Sequence, residues 1–205
     1  NYFVFITIIM SINVGHLSIC CGCMFSGKTS WLMGQFKKYS YIGKKIAVIN
    51  YADDKRYHDS HLSTHDKHMI PCIQCHLLKD VYNDMINADV ILINEGQFFP
   101  DLYNVVLEMV EEKHKILHIA ALDGDFKRNV FGQILQLIPK CDDYLKLHAL
   151  CAKCKDGTKA SFSHRMSTEN EQISIGSDNY IPVCRKCYEQ MNIVSSSNVR
   201  QECIE

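Results

Sequence analysis

The sequence predicts an α/β fold: a parallel sheet flanked by helices, with a small metal-bearing lobe toward the C-terminus. Three observations predict it. Apolar strand-like runs alternate with helix-spaced segments through the first two thirds of the chain. A glycine-rich turn joins the first strand to the first helix, and two C-x-x-C pairs sit in a polar C-terminal third. Strands that alternate with helices pair in parallel and are covered on both faces, so they read as continuous apolar runs.

Taken in order, residues 16–21 (HLSICC) form a short apolar strand that leads into CGCMFSGKTSW. The next segment places Leu32, Phe36 and Tyr39 at helical spacing, with Gly43 as its stop. KKIAVIN (44–50) is a second strand, followed by the polar, irregular YADDKRYHDSHLSTHDKHM. DVYNDMIN is a short helix before the strand ADVILIN; DLYNVVLEMVEEKHK is a helix and KILHIAAL a further strand. From residue 146 the chain is cysteine-bearing and polar, with short β-like pieces. The expected organisation is an N-terminal tail (1–12), an α/β nucleotide-binding domain (13–145), a zinc lobe (146–192) and a C-terminal tail (193–205).

Composition narrows the function classes. The 205 residues are 47% hydrophobic and 22% charged, with 22 basic against 23 acidic side chains and no basic block. A protein that grips a polynucleotide by its phosphates needs a basic patch, so no nucleic-acid partner is expected. The apolar N-terminus NYFVFITIIMSI lacks a basic leader region and a small-residue cleavage site. It is also shorter than the roughly 20 residues a membrane helix needs, so no membrane partner is expected either. It reads as a tail, with Met10 a candidate start. Eleven cysteines, an odd number in a chain of this size, read as reduced thiols with some available for metal, in the cytoplasm.

Gly22-Cys23-Met24-Phe25-Ser26-Gly27-Lys28-Thr29 has the form G-x-x-x-x-G-K-T, between a strand and a helix as that motif requires. Its glycines let backbone amides curl around phosphate oxygens, and the helix N-terminus adds partial positive charge. Lys28 reaches the outer phosphates, and the Thr29 hydroxyl can ligate magnesium. The sheet is therefore of the P-loop NTPase-like kind, and a nucleoside triphosphate with Mg2+ is the expected ligand.

In such proteins a second strand delivers a carboxylate that holds magnesium, often through water. VILIN supplies that strand, yet the residue at its end is Asn94, an amide that accepts from metal-bound water without adding charge. Glu95 follows and faces the chemistry, placed to take a proton from an attacking hydroxyl as general base. The bland alternative is a loop-capping or lysine-paired glutamate.

FSGKT, YADDKRY, THD, NEGQFFP, ALDGDFKRNVFGQILQLIP, CAKC and VCRKCY occur in this order over residues 15–191. Together they resemble the thymidine kinases of the zinc-containing, phosphate-loop type. The resemblance implies that Glu95 deprotonates the 5′-hydroxyl of thymidine and that Asp54, Arg56, Asn94 and Gln97 join the loop residues around ATP. The family carries aspartate where Asn94 stands. It further implies apolar walls around the thymine from Met24, Phe98, Leu122, Phe126 and Phe131, whose alternative is plain core packing. A substrate-closing lasso would contribute Ser163, Ile173, Ile175, Gly176 and Tyr180. Cys151, Cys154, Cys184 and Cys187 would bind one structural Zn2+. A homotetramer with feedback inhibition by dTTP is implied by the resemblance alone.

His58, His61, His65 and His68 with Cys72, Cys75 and His76 could form a second metal site, though in a polar, loop-like stretch. Cys20, Cys21 and Cys23 read as small fillers. The rival to a kinase is a catalytically weak nucleotide-binding module whose zinc lobe serves a protein partner, with Asn94 as its support. A nucleic-acid remodelling ATPase is disfavoured by the near-neutral charge.

Overall fold

The computed structural model describes residues 14–53, 61–63, 69–167, 171–173 and 179–192. Six strands form one sheet: β1 (His16–Gly22), β2 (Ile46–Tyr51), β5 (Ile73–Cys75), β6 (Val90–Ile93), β7 (Ile116–Ala121) and β8 (Asp143–Leu147). Their order is β5-β2-β6-β7-β1-β8, and every pairing is parallel. The expected α/β sheet is therefore present.

The side-chain period of two sorts the strands into two cores. Leu17, Ile19, Cys21, Ile49, Ile91, Ile93, Leu117 and Ile119 point to one face. There they meet α2 (Tyr82–Ile86), α3 (Leu102–Leu107) and the fully buried Phe99. Val48, Val90, Leu92 and Ala120 point the other way, onto Leu32 and Met33 of α1 (Lys28–Tyr41). Each aliphatic side chain fully buried this way contributes about 1.5–3 kcal/mol. α1 runs to Tyr41, with Gly43 just beyond in a left-handed conformation (φ 72°), as its position as a helix stop requires.

Several elements differ from expectation. The segment after β2 is not wholly irregular: β3 (His61–Ser63) and β4 (Met69–Pro71) form an antiparallel pair, and β5 follows as an edge strand. The helix beginning at Leu102 widens into a π-helical turn over Glu108–Glu112 rather than staying regular. β8 pairs with β1 and crosses the change in composition near residue 146. Its exposed outer edge explains why its residues, Asp-Tyr-Leu-Lys-Leu, do not read as a buried strand.

The C-terminal lobe has two small antiparallel pairs, β9 (Ala149–Leu150) with β10 (Lys159–Ala160) and β11 (Phe162–Arg165) with β12 (Tyr180–Val183). Its core is Ala149, Ala160, Val183, Tyr188 and the cysteines, and it includes Cys23 from the phosphate loop. The lobe is thus packed directly on the loop that ends β1. Among the described residues no helix is long and apolar enough to cross a membrane.

Candidate active site

In open parallel sheets, ligands gather at the carboxyl ends of the strands. The phosphate loop leaves β1 there. Gly22 must be glycine because a Cβ would lie 2.5 Å from the Leu147 carbonyl oxygen. Gly27 caps α1 at φ 89°, and Phe25 is held at φ 62° between them. The Cys23 thiol donates to the Ala160 carbonyl (3.4 Å), and the half-buried Met24 presents its N–H to the Ser163 hydroxyl (2.9 Å). Cys23, Met24 and Ser163, expected as ligand contacts, also bind the loop to the lobe.

The donors suit a polyphosphate. Lys28 is buried at the first position of α1, and its Nζ donates to the Cys23 carbonyl (2.9 Å) inside the loop. Thr29 is half-buried one residue on. The buried Ser26 hydroxyl has no hydrogen-bond partner among the described residues. An orphaned buried hydroxyl beside an ammonium and a helix N-terminus is a phosphate-accepting arrangement. Burial pushes the Cys20 thiol up to about 11 and the Cys21 thiol up to about 12, with Lys28 opposing weakly. Both are inert fillers, as expected.

β6 delivers the second half of the site. The Asn94 N–H continues the sheet by donating to Ile49 O (2.9 Å), and its side-chain amide donates to Asn50 Oδ1 (2.8 Å) in a buried contact. Glu95 then adopts a left-handed conformation (φ 54°, ψ 41°), a strained choice for a non-glycine residue that tends to cluster at functional sites. The turn continues over Gly96–Phe98, where a Cβ on Gly96 would meet Ile119 at 2.7 Å. Glu95 is only 7% exposed, and its Oε2 accepts from Gln97 Nε2 (2.6 Å).

The expected wall residues form two groups. Phe98 stacks on Tyr51 (5.0 Å) and meets the buried Phe131 edge-on (5.3 Å); the buried Leu122 donates its N–H to Gln97 Oε1 (2.9 Å). Phe126 lies further out, under the guanidinium of Arg165 at 3.8 Å. Arg165 donates to the Tyr180 hydroxyl and to the carbonyls of Glu171 and Gln172. Gln172 in turn donates to Asp125 (2.9 Å), whose carboxylate also accepts from the N–H groups of Lys127 and Asn129. Ile173 is half exposed. Asp54, Arg56, Ile175 and Gly176 lie outside the described residues.

Arg165, Asp125 and Tyr51 were missed by the sequence reading. The signal was the alternation in FSHR: Ser163 and Arg165 share the buried face of β11. A buried arginine there breaks the apolar-in pattern that sequence reading relies on.

The sulfur atoms of Cys151, Cys154, Cys184 and Cys187 all lie within 4.8 Å of one another. The Cys154–Cys184 and Cys154–Cys187 separations are 3.7 and 3.5 Å. A tetrahedral site with Zn–S bonds near 2.3 Å has sulfur edges of roughly 3.8 Å, so this cluster could hold zinc. The Cys184 N–H donates to the Cys151 sulfur (3.3 Å), orienting it as outer hydrogen bonds orient metal ligands. Among the described residues this is the single such cluster. Of the other candidate set, His58, His65 and His68 lie outside the described residues, as does the side chain of His61. Cys75 is in the main core, burial pushing its thiol up to about 12, and His76 pairs with Asp53 (3.1 Å).

The fold and site define a phosphate-loop nucleotide-binding protein with a buried glutamate at its strand ends and a four-cysteine lobe. The family model for thymidine kinase matches residues 15–188. The chain is 43% identical over 184 residues to the thymidine kinase of Yaba monkey tumor virus, covering 89% of this chain and 99% of that one. It is 43% identical over 177 residues to that of Monkeypox virus, covering 86% and 98%. It is 39% identical over 175 residues to the cytosolic thymidine kinase of Cricetulus griseus, covering 85% and 73%. This chain belongs to the thymidine kinase family. Among solved structures, AMPPCP-bound DnaA from Aquifex aeolicus aligns with a TM-score of 0.42 at 12% identity, over 67% of this chain and 42% of that one. Family membership does not favour the alternative of a catalytically weak nucleotide-binding module whose zinc lobe serves a protein partner.

Proposed function

We propose that this chain transfers the γ-phosphate of ATP to the 5′-hydroxyl of thymidine, giving dTMP, with Glu95 as the general base. The observation that supports this most directly is the buried Glu95 carboxylate at the same strand-end rim as the Lys28 loop. The loop amides, Lys28 and the Ser26 hydroxyl hold the phosphates. Glu95 takes the hydroxyl proton as that oxygen attacks the γ-phosphorus and ADP leaves. Positioning and charge neutralisation supply most of the acceleration in such a loose transition state. Thr29 and, through water, Asn94 would hold Mg2+, which neutralises phosphate oxygens when bound.

Phe98, Phe131, Leu122, Phe126 and Met24 form the apolar cleft for the neutral, methyl-bearing base, with Ser163, Ile173, Ile175, Gly176 and Tyr180 closing it. Asp54, Arg56 and Gln97 complete the ATP side on the strength of the resemblance. The four cysteines hold one structural Zn2+ with no open position, so the metal staples the lobe rather than reacting. The division at residues 145/146, a homotetramer, feedback by dTTP and a cytoplasmic location rest on the resemblance and the sequence pattern.

The test is phosphorylation of labelled thymidine by the purified protein beside Glu95→Gln. Activity in the parent and a loss of about 10²–10⁴-fold in the variant are expected, the range a positioned base supplies. An inactive parent that still binds ATP refutes the function, and an active variant refutes the base.

A further inference from the structure

Gln97 carries the amide that touches Glu95, a contact that a role on the ATP side does not explain. It is 3% exposed, and both ends of its side chain are engaged. The Leu122 backbone N–H can only donate, so the group facing it at 2.9 Å is the Gln97 carbonyl oxygen. That fixes the amide's orientation and turns its NH₂ toward Glu95 Oε2 at 2.6 Å. A donor in that place matches an ionised carboxylate, which only accepts, and ionised is the form a base must have.

Gln97 is also gripped through its backbone. Gly132, at φ 63°, follows Phe131 and lies so close that a Cβ there would sit 2.1 Å from the Gln97 carbonyl oxygen. The neighbouring Phe98 meets Phe131 edge-on at 5.3 Å. Two separate segments of the apolar cleft, Leu122 at the end of β7 and Phe131–Gly132 in the following loop, therefore converge on one glutamine. That glutamine holds the carboxylate.

We infer that Gln97 is a positioning residue that aims the Glu95 carboxylate and couples it to the cleft wall at Leu122. The inference rests on Glu95 acting as the base. It gives Gln97 a different duty from the nucleotide contact that the motif resemblance implies. The Glu95 carboxylate must be aimed closely, because a misplacement of about 1 Å costs on the order of 10²-fold in such reactions.

The experiment compares Gln97→Met, which fills the space without donors, with Gln97→Asn, which keeps an amide too short to bridge. Both are measured in the parent and in the Glu95→Gln background. Thermal midpoints and zinc content are recorded for each. In the parent background, kcat should fall roughly 10–100-fold in both variants, with the KM for ATP within about twofold. In the Glu95→Gln background the same changes should cost less than about twofold, because Gln97 acts through the carboxylate already removed. If Gln97→Met does not fold, Gln97→Asn supplies the comparison.

Three results overturn the inference. The first is kcat within about twofold of the parent while Glu95→Gln is inactive. The second is an unchanged kcat with a raised KM for ATP, which makes Gln97 a nucleotide contact. The third is a full additive loss in the double variant. Retained activity in Glu95→Gln alone would instead remove the base itself, and with it the reason for a positioning residue.

Discussion

The Met24 amide donates to the Ser163 hydroxyl at 2.9 Å, fastening the phosphate loop to the cysteine lobe. The Cys23 thiol makes a second fastening to Ala160, and Cys23 packs in the lobe's core beside the clustered cysteines. The phosphate loop is therefore packed on a small lobe whose four-cysteine cluster could hold zinc, and a small domain of this kind commonly couples metal binding to folding. Stripping the zinc with a chelator should weaken ATP binding on the order of tenfold while the main sheet stays folded, a loss of the size one unmade buried hydrogen bond gives. Nucleotide titration of metal-free protein, with circular dichroism as the folding control, checks this; unchanged ATP affinity sinks it.

Asn94→Asp adds, at the end of β6, the charge that the family resemblance implies there. It should lower the magnesium concentration needed for half-maximal activity or raise turnover. The structure adds a cost. The Asn94 amide donates to Asn50 Oδ1 at 2.8 Å, and an aspartate there sets acceptor against acceptor until the Asn50 amide flips. That flip gives up the Asn50 contact to the Tyr51 carbonyl (3.4 Å). A stability loss of about 1–3 kcal/mol should accompany the gain in metal affinity. A magnesium titration with a denaturation curve reads both effects, and no change in magnesium dependence or turnover removes Asn94 from the metal's surroundings.

His118 makes stability fall in mild acid. It is buried between β1, α1 and β8, where its Nε2 meets the Tyr39 hydroxyl (3.2 Å) and its Nδ1 has no partner among the described residues. Burial, with help from His16 and Lys38 and against Asp143, pushes it down to about 4. Its folded value lies below its unfolded one, so the unfolded chain binds more protons between them. Stability is intact above about pH 7, declines as pH falls from about 6.5 toward 4, and the full effect is about 3 kcal/mol. His118→Gln should flatten this limb, narrowing the drop in Tm between pH 7 and pH 5 by about 5 °C. Parallel curves for the two proteins would refute the assignment.

The parts that were legible in the sequence share a physical cause. Val90–Ile93 and Ile116–Ala121 are buried on both faces, so their apolar runs announce central parallel strands without reference to partners. The phosphate loop is legible because its chemistry needs glycine at fixed places. Asp143–Leu147 is hidden because an edge strand need not be apolar, and Ile73–Cys75 because three residues leave no period to read. Glu95 could be singled out by its position after a strand. Its link to Leu122 through Gln97 could not, because that contact spans 25 residues and depends on the register between β6 and β7. Arg165 escaped for a related reason: its partners are two backbone carbonyls, ring faces and a hydroxyl 15 residues away, which no local side-chain pattern encodes.

The fastening between Met24 and Ser163 joins positions 139 residues apart, and β8, which flanks β1, also comes late in the chain. A growing polypeptide therefore completes its whole phosphate motif long before it makes the segments that shape it. An N-terminal fragment carries every residue of that motif without the clasp that holds it in form. The phosphate loop therefore reaches its final shape only once residues near the end of the chain have been made.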